Sequence, residues 1–157
     1  MNDLAREVIE RMTAEGLTLG TAESTVGGLI GHLLTDVPGS SKVFVGGITA
    51  YHGRPKTTLL NVPVETLRNA GSVSEEATVA MARGGREALQ VDLCVAESGI
   101  AGPSSNPERP GGLYWIAVSG AGGDRAERHV FPGEREATKL AAAETALRLV
   151  LAAIGAR

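Results

Sequence analysis

The stretch Leu17-Thr18-Leu19-Gly20-Thr21-Ala22-Glu23-Ser24-Thr25-Val26-Gly27-Gly28-Leu29-Ile30-Gly31-His32-Leu33-Leu34 reads as an apolar run, a turn of hydroxyls and glycines, and then apolar residues at helical spacing. A strand therefore hands over to a helix near Ser24, and a helix start there would aim unpaired backbone N–H groups at anything negative. Upstream, Leu4, Val8, Ile9 and Met12 recur at helical spacing, and Gly16 stops that helix before Leu17. Downstream, the helix after Ser24 is predicted to run to about Leu34 and to break at Asp36-Val37-Pro38-Gly39-Ser40-Ser41.

The alternation continues outward from there. Val43 to Tyr51 predicts a strand whose central Gly46 and Gly47 point to a bulge or a closely approaching backbone. Pro55 opens a turn or helix through Leu60, and Pro63 to Leu67 a short helix that Gly71 caps. Ser74, Glu75 and Glu76 start a further helix with Ala77, Met81 and Ala88 along one side. Val91 to Ala96 predicts a buried strand that ends in the loop Ser98-Gly99-Ile100-Ala101-Gly102-Pro103. Leu113 to Ser119 and Glu127 to Phe131 flank Ala121-Gly122-Gly123-Asp124, a hairpin signal, and the second of them alternates as an edge strand does. Glu134 to Ile154 forms a closing helix. Helices alternating with strands ahead of a late hairpin predict an α/β fold of three α/β/α layers, a mixed sheet covered by helices on both faces, in a single domain over 1–157. Ligands of such sheets bind at the carboxyl ends of strands, where the turns at Ser24, Tyr51 and Ser98 all fall.

Composition narrows the partners. A chain of 157 residues can bury roughly 70% of its unfolded surface and needs no metal or disulfide staple. The net charge of -3 gives no reason to expect nucleic acid or a membrane, and aromatics at only 3% argue against base-stacking platforms. Glycine, at 21 of 157 residues, is nearly double the usual ~7% and falls mostly in loops after apolar runs. The chain begins without a basic region and long apolar stretch, and no run approaches the ~20 apolar residues of a membrane span, so a cytoplasmic location is expected. Low aromatic content and an apolar closing helix favour a homo-oligomer. Cys94, inside a buried strand, reads as an inert core thiol with no disulfide partner in the chain.

Ser24 is the candidate nucleophile, and a serine hydroxyl needs a base within hydrogen-bond reach. The histidines are poor bases: His32 falls inside a helix, His129 faces outward on an edge strand, and His52 has no obvious carboxylate to orient it. Lys56 is better, because a lysine desolvated in a pocket titrates near ~7–8, with Tyr51 relaying a proton between amine and hydroxyl. Backbone N–H groups from Thr25 to Gly28 would then hold the oxyanion. Each residue also has a plainer reading: Ser24 as a helix cap, Lys56 as a solvated amine, Tyr51 as a strand-end ring in water. The Gly99 to Pro103 loop is shaped either for a ligand or for a tight turn, and Arg109 and Arg135 are forks for phosphate or carboxylate, Arg135 being better placed at a helix start.

Seven blocks in order carry a resemblance: Ala22-Glu23-Ser24-x-x-Gly27-Gly28, Asp36 to Ser41, Gly46-Gly47-Ile48-x-Ala50-Tyr51, Lys56-x-x-Leu59-Leu60-x-Val62-Pro63, Val73-Ser74-Glu75-Glu76, Gly99 to Pro103, and Phe131-Pro132-Gly133-x-Arg135. Nearly the whole chain resembles the C-terminal amidohydrolase domain of the CinA competence/damage-inducible protein family, which includes nicotinamide mononucleotide deamidases. The resemblance implies hydrolysis of a nicotinamide carboxamide to the acid and ammonia, without metal or cofactor, by Ser24 with Tyr51 and Lys56. It implies a nucleotide as the small-molecule partner, held by Thr25, Gly27, Gly28, Ser98, Gly99 and Gly102, with Arg135 at the phosphate. Two departures stand out. The family commonly reads Ser-Cys-Thr-Gly-Gly where this chain has Ser24-Thr25-Val26-Gly27-Gly28, and His52-Gly53-Arg54-Pro55 replaces a Ser-Asn-type turn before the lysine. The first of these keeps open a second reading, a mononucleotide- or protein-binding module of the same fold that does little chemistry.

Overall fold

The computed structural model describes residues 2–155. Along the chain run α1 (Asn2–Glu15), β1 (Leu19–Glu23), α2 (Leu29–Thr35), β2 (Phe44–Thr49), α3 (Gly53–Thr58), α4 (Val64–Asn69), α5 (Glu75–Leu89), β3 (Leu93–Gly99), β4 (Leu113–Gly120), β5 (Gly123–Val130) and α6 (Arg135–Ile154). The strands form one mixed sheet in the order β2-β1-β3-β4-β5, with β1 parallel to both β2 and β3 and the last two strands antiparallel.

Strand alternation divides the apolar residues between two cores. Leu93 and Val95 of β3 join Ile116 and Val118 of β4 in a core closed by α1, α2 and α6, through residues such as Val8, Met12, Ile30, Leu34, Leu147 and Val150. Cys94 and Ala96 point the other way, into a smaller core with Met81 and Ala82 of α5 and Leu60 and Val62 of the α3–α4 connection. Helices therefore cover both faces, and the three-layer expectation holds. Cys94 is fully buried, and burial pushes its thiol up to about 12, in keeping with an inert core residue.

Three features place the carboxyl ends of the parallel strands side by side. Leu19 pairs with Phe44 but Gly20 pairs with Gly46, so Val45 is one extra residue in β2, a bulge that resets the register before Ile48 and Thr49 reach Ala22 and Glu23. The predicted bulge is thus present, next to Gly46. Beyond the strand, the Ala50 amide donates to the Glu23 carbonyl at 2.8 Å, carrying the pairing one step past β2. On the far side, β3 runs to Gly99 because Ser98 pairs with Trp115 and Gly99 with Tyr114. The predicted strand end at Ala96 is therefore corrected, and the loop begins at Ile100. A side chain at Gly99 would run into the Tyr114 ring, so only glycine fits beneath it.

The second helix follows the Ser24 turn as expected: Gly27 (φ 67°) and Gly28 (φ 98°) take left-handed conformations, and the chain completes a turn before α2 starts at Leu29. One other boundary shifts. The outer hairpin strand starts at Gly123 rather than Glu127, because the tight Ala121-Gly122 connection lets Gly123 pair at once with Gly120.

Candidate active site

Ser24 follows the last residue of β1, with 4% of its surface exposed. Two buried glutamates hold the turn that carries it. Glu23, 2% exposed, spreads its carboxylate over the start of α2, with Oε2 accepting from the Ile30 amide at 3.0 Å and Oε1 from the Gly31 amide at 2.9 Å. It does the work of an N-cap from outside the helix, where a negative group also meets the positive end of the helix dipole. Glu97 reaches across from β3, and its Oε1 accepts from the Ser24 amide at 2.5 Å and the Val26 amide at 3.0 Å. The Thr25 hydroxyl completes the stitching: it donates to the Gly99 carbonyl at 2.7 Å and accepts from the Gly99 amide at 3.0 Å.

Those bonds narrow the oxyanion assignment: of the amides from Thr25 to Gly28, that of Val26 is held by Glu97 and that of Gly27 by the Ser24 carbonyl. The Thr25 hydroxyl spends its one donor on the Gly99 carbonyl and also accepts from the Gly99 amide, while Thr25 remains in the cleft lining. The Val26 side chain, 2% exposed, packs in the larger core, so the departure from the common family pattern at these two positions is absorbed by the fold.

The amine arrives from α3. His52 caps that helix through its ring nitrogen, which accepts from the Arg54 amide at 3.3 Å, and the capped turn swings Lys56 inward until only 1% of it is exposed. Its Nζ lies 2.8 Å from Ser24 Oγ and donates to the Ala50 carbonyl at 2.7 Å. Burial lowers the pKa of this amine, and the negative charge of Glu97 works in the opposite direction. Glu97 in turn is pushed up to about 7 by its own burial and by the neighbouring charge of Glu23, against the pull of the Val26 and Ser24 amides and of Lys56.

Ser24 and Lys56 open onto a cleft of about 380 Å³, lined also by Thr25, Tyr51, Ser98, Gly99, Gly102 and Arg135. Ser98, 1% exposed, makes no side-chain hydrogen bond among the described residues, which leaves its hydroxyl for a ligand. Arg135, the first residue of α6, lies against Gly102, where an added Cβ would come within 3.0 Å of its guanidinium. Gly27 and Gly28 are not part of this cleft. They line a neighbouring hollow of about 530 Å³ with Leu29, His32, Lys139 and Leu140, and Arg135 stands between the two. Tyr51 is 65% exposed at the cleft mouth, and its hydroxyl bonds neither Ser24 nor Lys56, so the predicted proton relay is not in place. Arg109 braces the rim instead of facing the cleft, donating to the Ala70 carbonyl at 2.8 Å. His129 pairs with Glu127 at 2.8 Å on the outer strand, away from the cleft.

Sequence reasoning missed the glutamates and Ser72 with Val73, which line the cleft from the α4–α5 connection. The signal for Glu23 and Glu97 was present, since each is an acid within a run of residues buried on both faces of the sheet. Among the described residues, no group of three His, Cys, Asp or Glu side chains could hold a metal ion, and no helix is long and apolar enough to cross a membrane.

Similarity to known proteins extends over nearly the whole chain. A putative competence-damage inducible protein of Desulforamulus reducens is 40% identical over 144 residues, covering 91% of this chain and 35% of the relative. A CinA-like protein of Parasynechococcus marenigrum is 45% identical over 135 residues, 85% of this chain and 32% of the relative. The chain thus spans about a third of the length of these curated relatives. Among solved structures, the competence/damage inducible protein CihA from Agrobacterium tumefaciens superposes with a TM-score of 0.90 at 36% identity, over 98% of this chain and 94% of that one. A CinA superfamily protein from Klebsiella pneumoniae does so with a TM-score of 0.94 at 28% identity, over 98% and 97%. Residues 1–154 match the CinA C-terminal domain, and the chain belongs to that family.

Proposed function

We propose that this chain is a serine amidohydrolase that converts the carboxamide of nicotinamide mononucleotide to the carboxylate with release of ammonia. The observation that carries the reading is the buried Ser24–Lys56 pair at 2.8 Å, with burial lowering the amine's proton affinity. A neutral Lys56 donates one N–H to the Ala50 carbonyl, which turns its lone pair toward the Ser24 hydroxyl.

Ser24 Oγ attacks the amide carbon as its proton passes to Lys56 Nζ. The resulting tetrahedral adduct collapses when Lys56 returns that proton to the departing nitrogen, which leaves as ammonia, and an ester on Ser24 remains. Water then attacks the ester carbon, giving a proton to Lys56, and the C–O bond to Ser24 breaks with return of the proton to Oγ. In this reading the Ser98 hydroxyl, which lines the cleft, donates to the oxyanion, since the Val26 amide is taken by Glu97. Arg135 offers a fork for the phosphate, and the roughly 380 Å³ between it and Ser24 suits a mononucleotide.

The binding-module reading rested on Thr25 and Val26, and both have structural occupations here. The test is ammonia release from nicotinamide mononucleotide by the parent protein and by Ser24→Ala. Release by the parent alone is the expected result; a folded parent that releases none defeats the proposal.

A further inference from the structure

Glu97 is among the most buried side chains of the molecule, at 0% exposure, yet its two oxygens are used unequally. Oε1 takes both amides of the Ser24 turn, whereas Oε2 is buried with no hydrogen-bond partner. Glu23 provides the contrast, with one amide on each oxygen. If the sole task of Glu97 were to hold the turn, a neutral side chain with a single acceptor would serve, and burying a charge for that purpose is unfavourable.

We infer that Glu97 is a positioning residue for the Ser24–Lys56 pair, fixing the nucleophile's turn through Oε1 and setting the charge that Lys56 meets through its unpartnered Oε2. The inference rests on the amidohydrolase reading for its catalytic meaning but not for its physical content. Two charged side chains act on Glu97, Glu23 at the end of β1 and Lys56 of α3, and Glu97 acts in turn on Tyr114 of β4, which Arg135 of α6 and Tyr51 also face. Lys56 is the cation that acts directly on Glu97, and the charge of Glu97 opposes the desolvation of that amine. A buried base and a buried acid thus share the strand ends, and the proton held by one alters what the other holds.

The deciding experiment follows Lys56 directly, by NMR titration of protein labelled at lysine Cε, in the parent and in Glu97→Gln. The glutamine keeps an oxygen for the Ser24 and Val26 amides and removes the charge. The expected result is that Lys56 titrates at lower pH in the variant, and that the rising limb of kcat against pH moves the same way with KM unchanged. A Lys56 titration that superimposes on the parent's overturns the inference, because a turn-holding role alone would not move it. Should the variant fail to fold, the parent labelled at glutamate Cδ decides: Glu97 and Lys56 must respond to each other's titration, and independent curves overturn the inference. Absence of amidase activity in the parent would remove the proposed reaction and leave the titration to be read by itself, so the two failures are distinguishable.

Discussion

Floor and rim of the Ser24 cleft differ in how their polar groups are satisfied. On the floor, Ser24, Lys56, Glu23 and Glu97 are all at most 4% exposed, and each is bound to backbone or to another member of the set. On the rim, Tyr51 is 65% exposed, and neither it nor Arg135 makes a side-chain hydrogen bond or ion pair among the described residues. Groups on the floor are preorganised and buried, which suits the proposed proton transfer, while Tyr51 and Arg135 keep their bonding capacity for whatever enters. Chemistry and recognition are therefore separable by mutation.

The largest effect is expected at the floor. Lys56→Met removes the base while keeping an apolar stem, and should lower kcat by at least about 10³-fold, measured as ammonia release. A residual rate within tenfold of the parent would place the base elsewhere. Glu23→Ala leaves the Ile30 and Gly31 amides without their acceptor, at a cost of about 3 kcal/mol in denaturant unfolding. An unchanged midpoint would mean that water replaces the carboxylate there.

Glu97 gives the floor a pH signature. A carboxyl whose folded pKa lies above its unfolded value contributes stability that is complete below the unfolded value and is lost as pH rises through the folded one. With a rise from 4.5 to about 7, its contribution of about 3 kcal/mol should disappear between those two pH values. Unfolding free energies of the parent should fall across this window more steeply than those of Glu97→Gln; parallel curves would contradict the burial effect.

Rim variants should act on binding alone. Arg135→Ala is expected to raise KM about tenfold with little change in kcat, as for loss of one charged hydrogen bond to a phosphate. Tyr51→Phe is expected to change kcat less than about threefold, since its hydroxyl bonds neither catalytic group. A large fall in kcat would restore the proton relay and erase the division between floor and rim.

The legibility of the sequence follows the same division. Periodicity, helped by proline and cap signals, located the strands and the α-helices, because Leu4, Val8 and Met12 or Leu93 and Val95 face a single core and nothing competes with that pattern. It failed at ends, where pairing with a distant segment decides: β3 lengthens to Gly99 only because β4 lies beside it. At the site, Ser24 and Lys56 were legible from residue type and position after strands. The occupation of the Val26 amide by Glu97 was not, since a contact between residues 26 and 97 leaves no local trace. The bonds of Thr25 were hidden for the same reason, since the Gly99 backbone that its hydroxyl binds is remote in sequence.

The bulge at Val45 has a wider consequence. Outer strands ordinarily accept small insertions and deletions, because no neighbour on their open side records the change. Here the extra residue determines which carbonyl faces the lysine, for Ala50 is counted off from it along β2. Removing that residue must be taken up either by closing the bulge or by sliding one side of β2 one position along β1, which turns alternate side chains to the opposite layer. Drift in the length of this border strand is therefore constrained by the buried Ser24–Lys56 pair at its other end, and length variation in descendants of this chain should collect in the 103–112 loop instead.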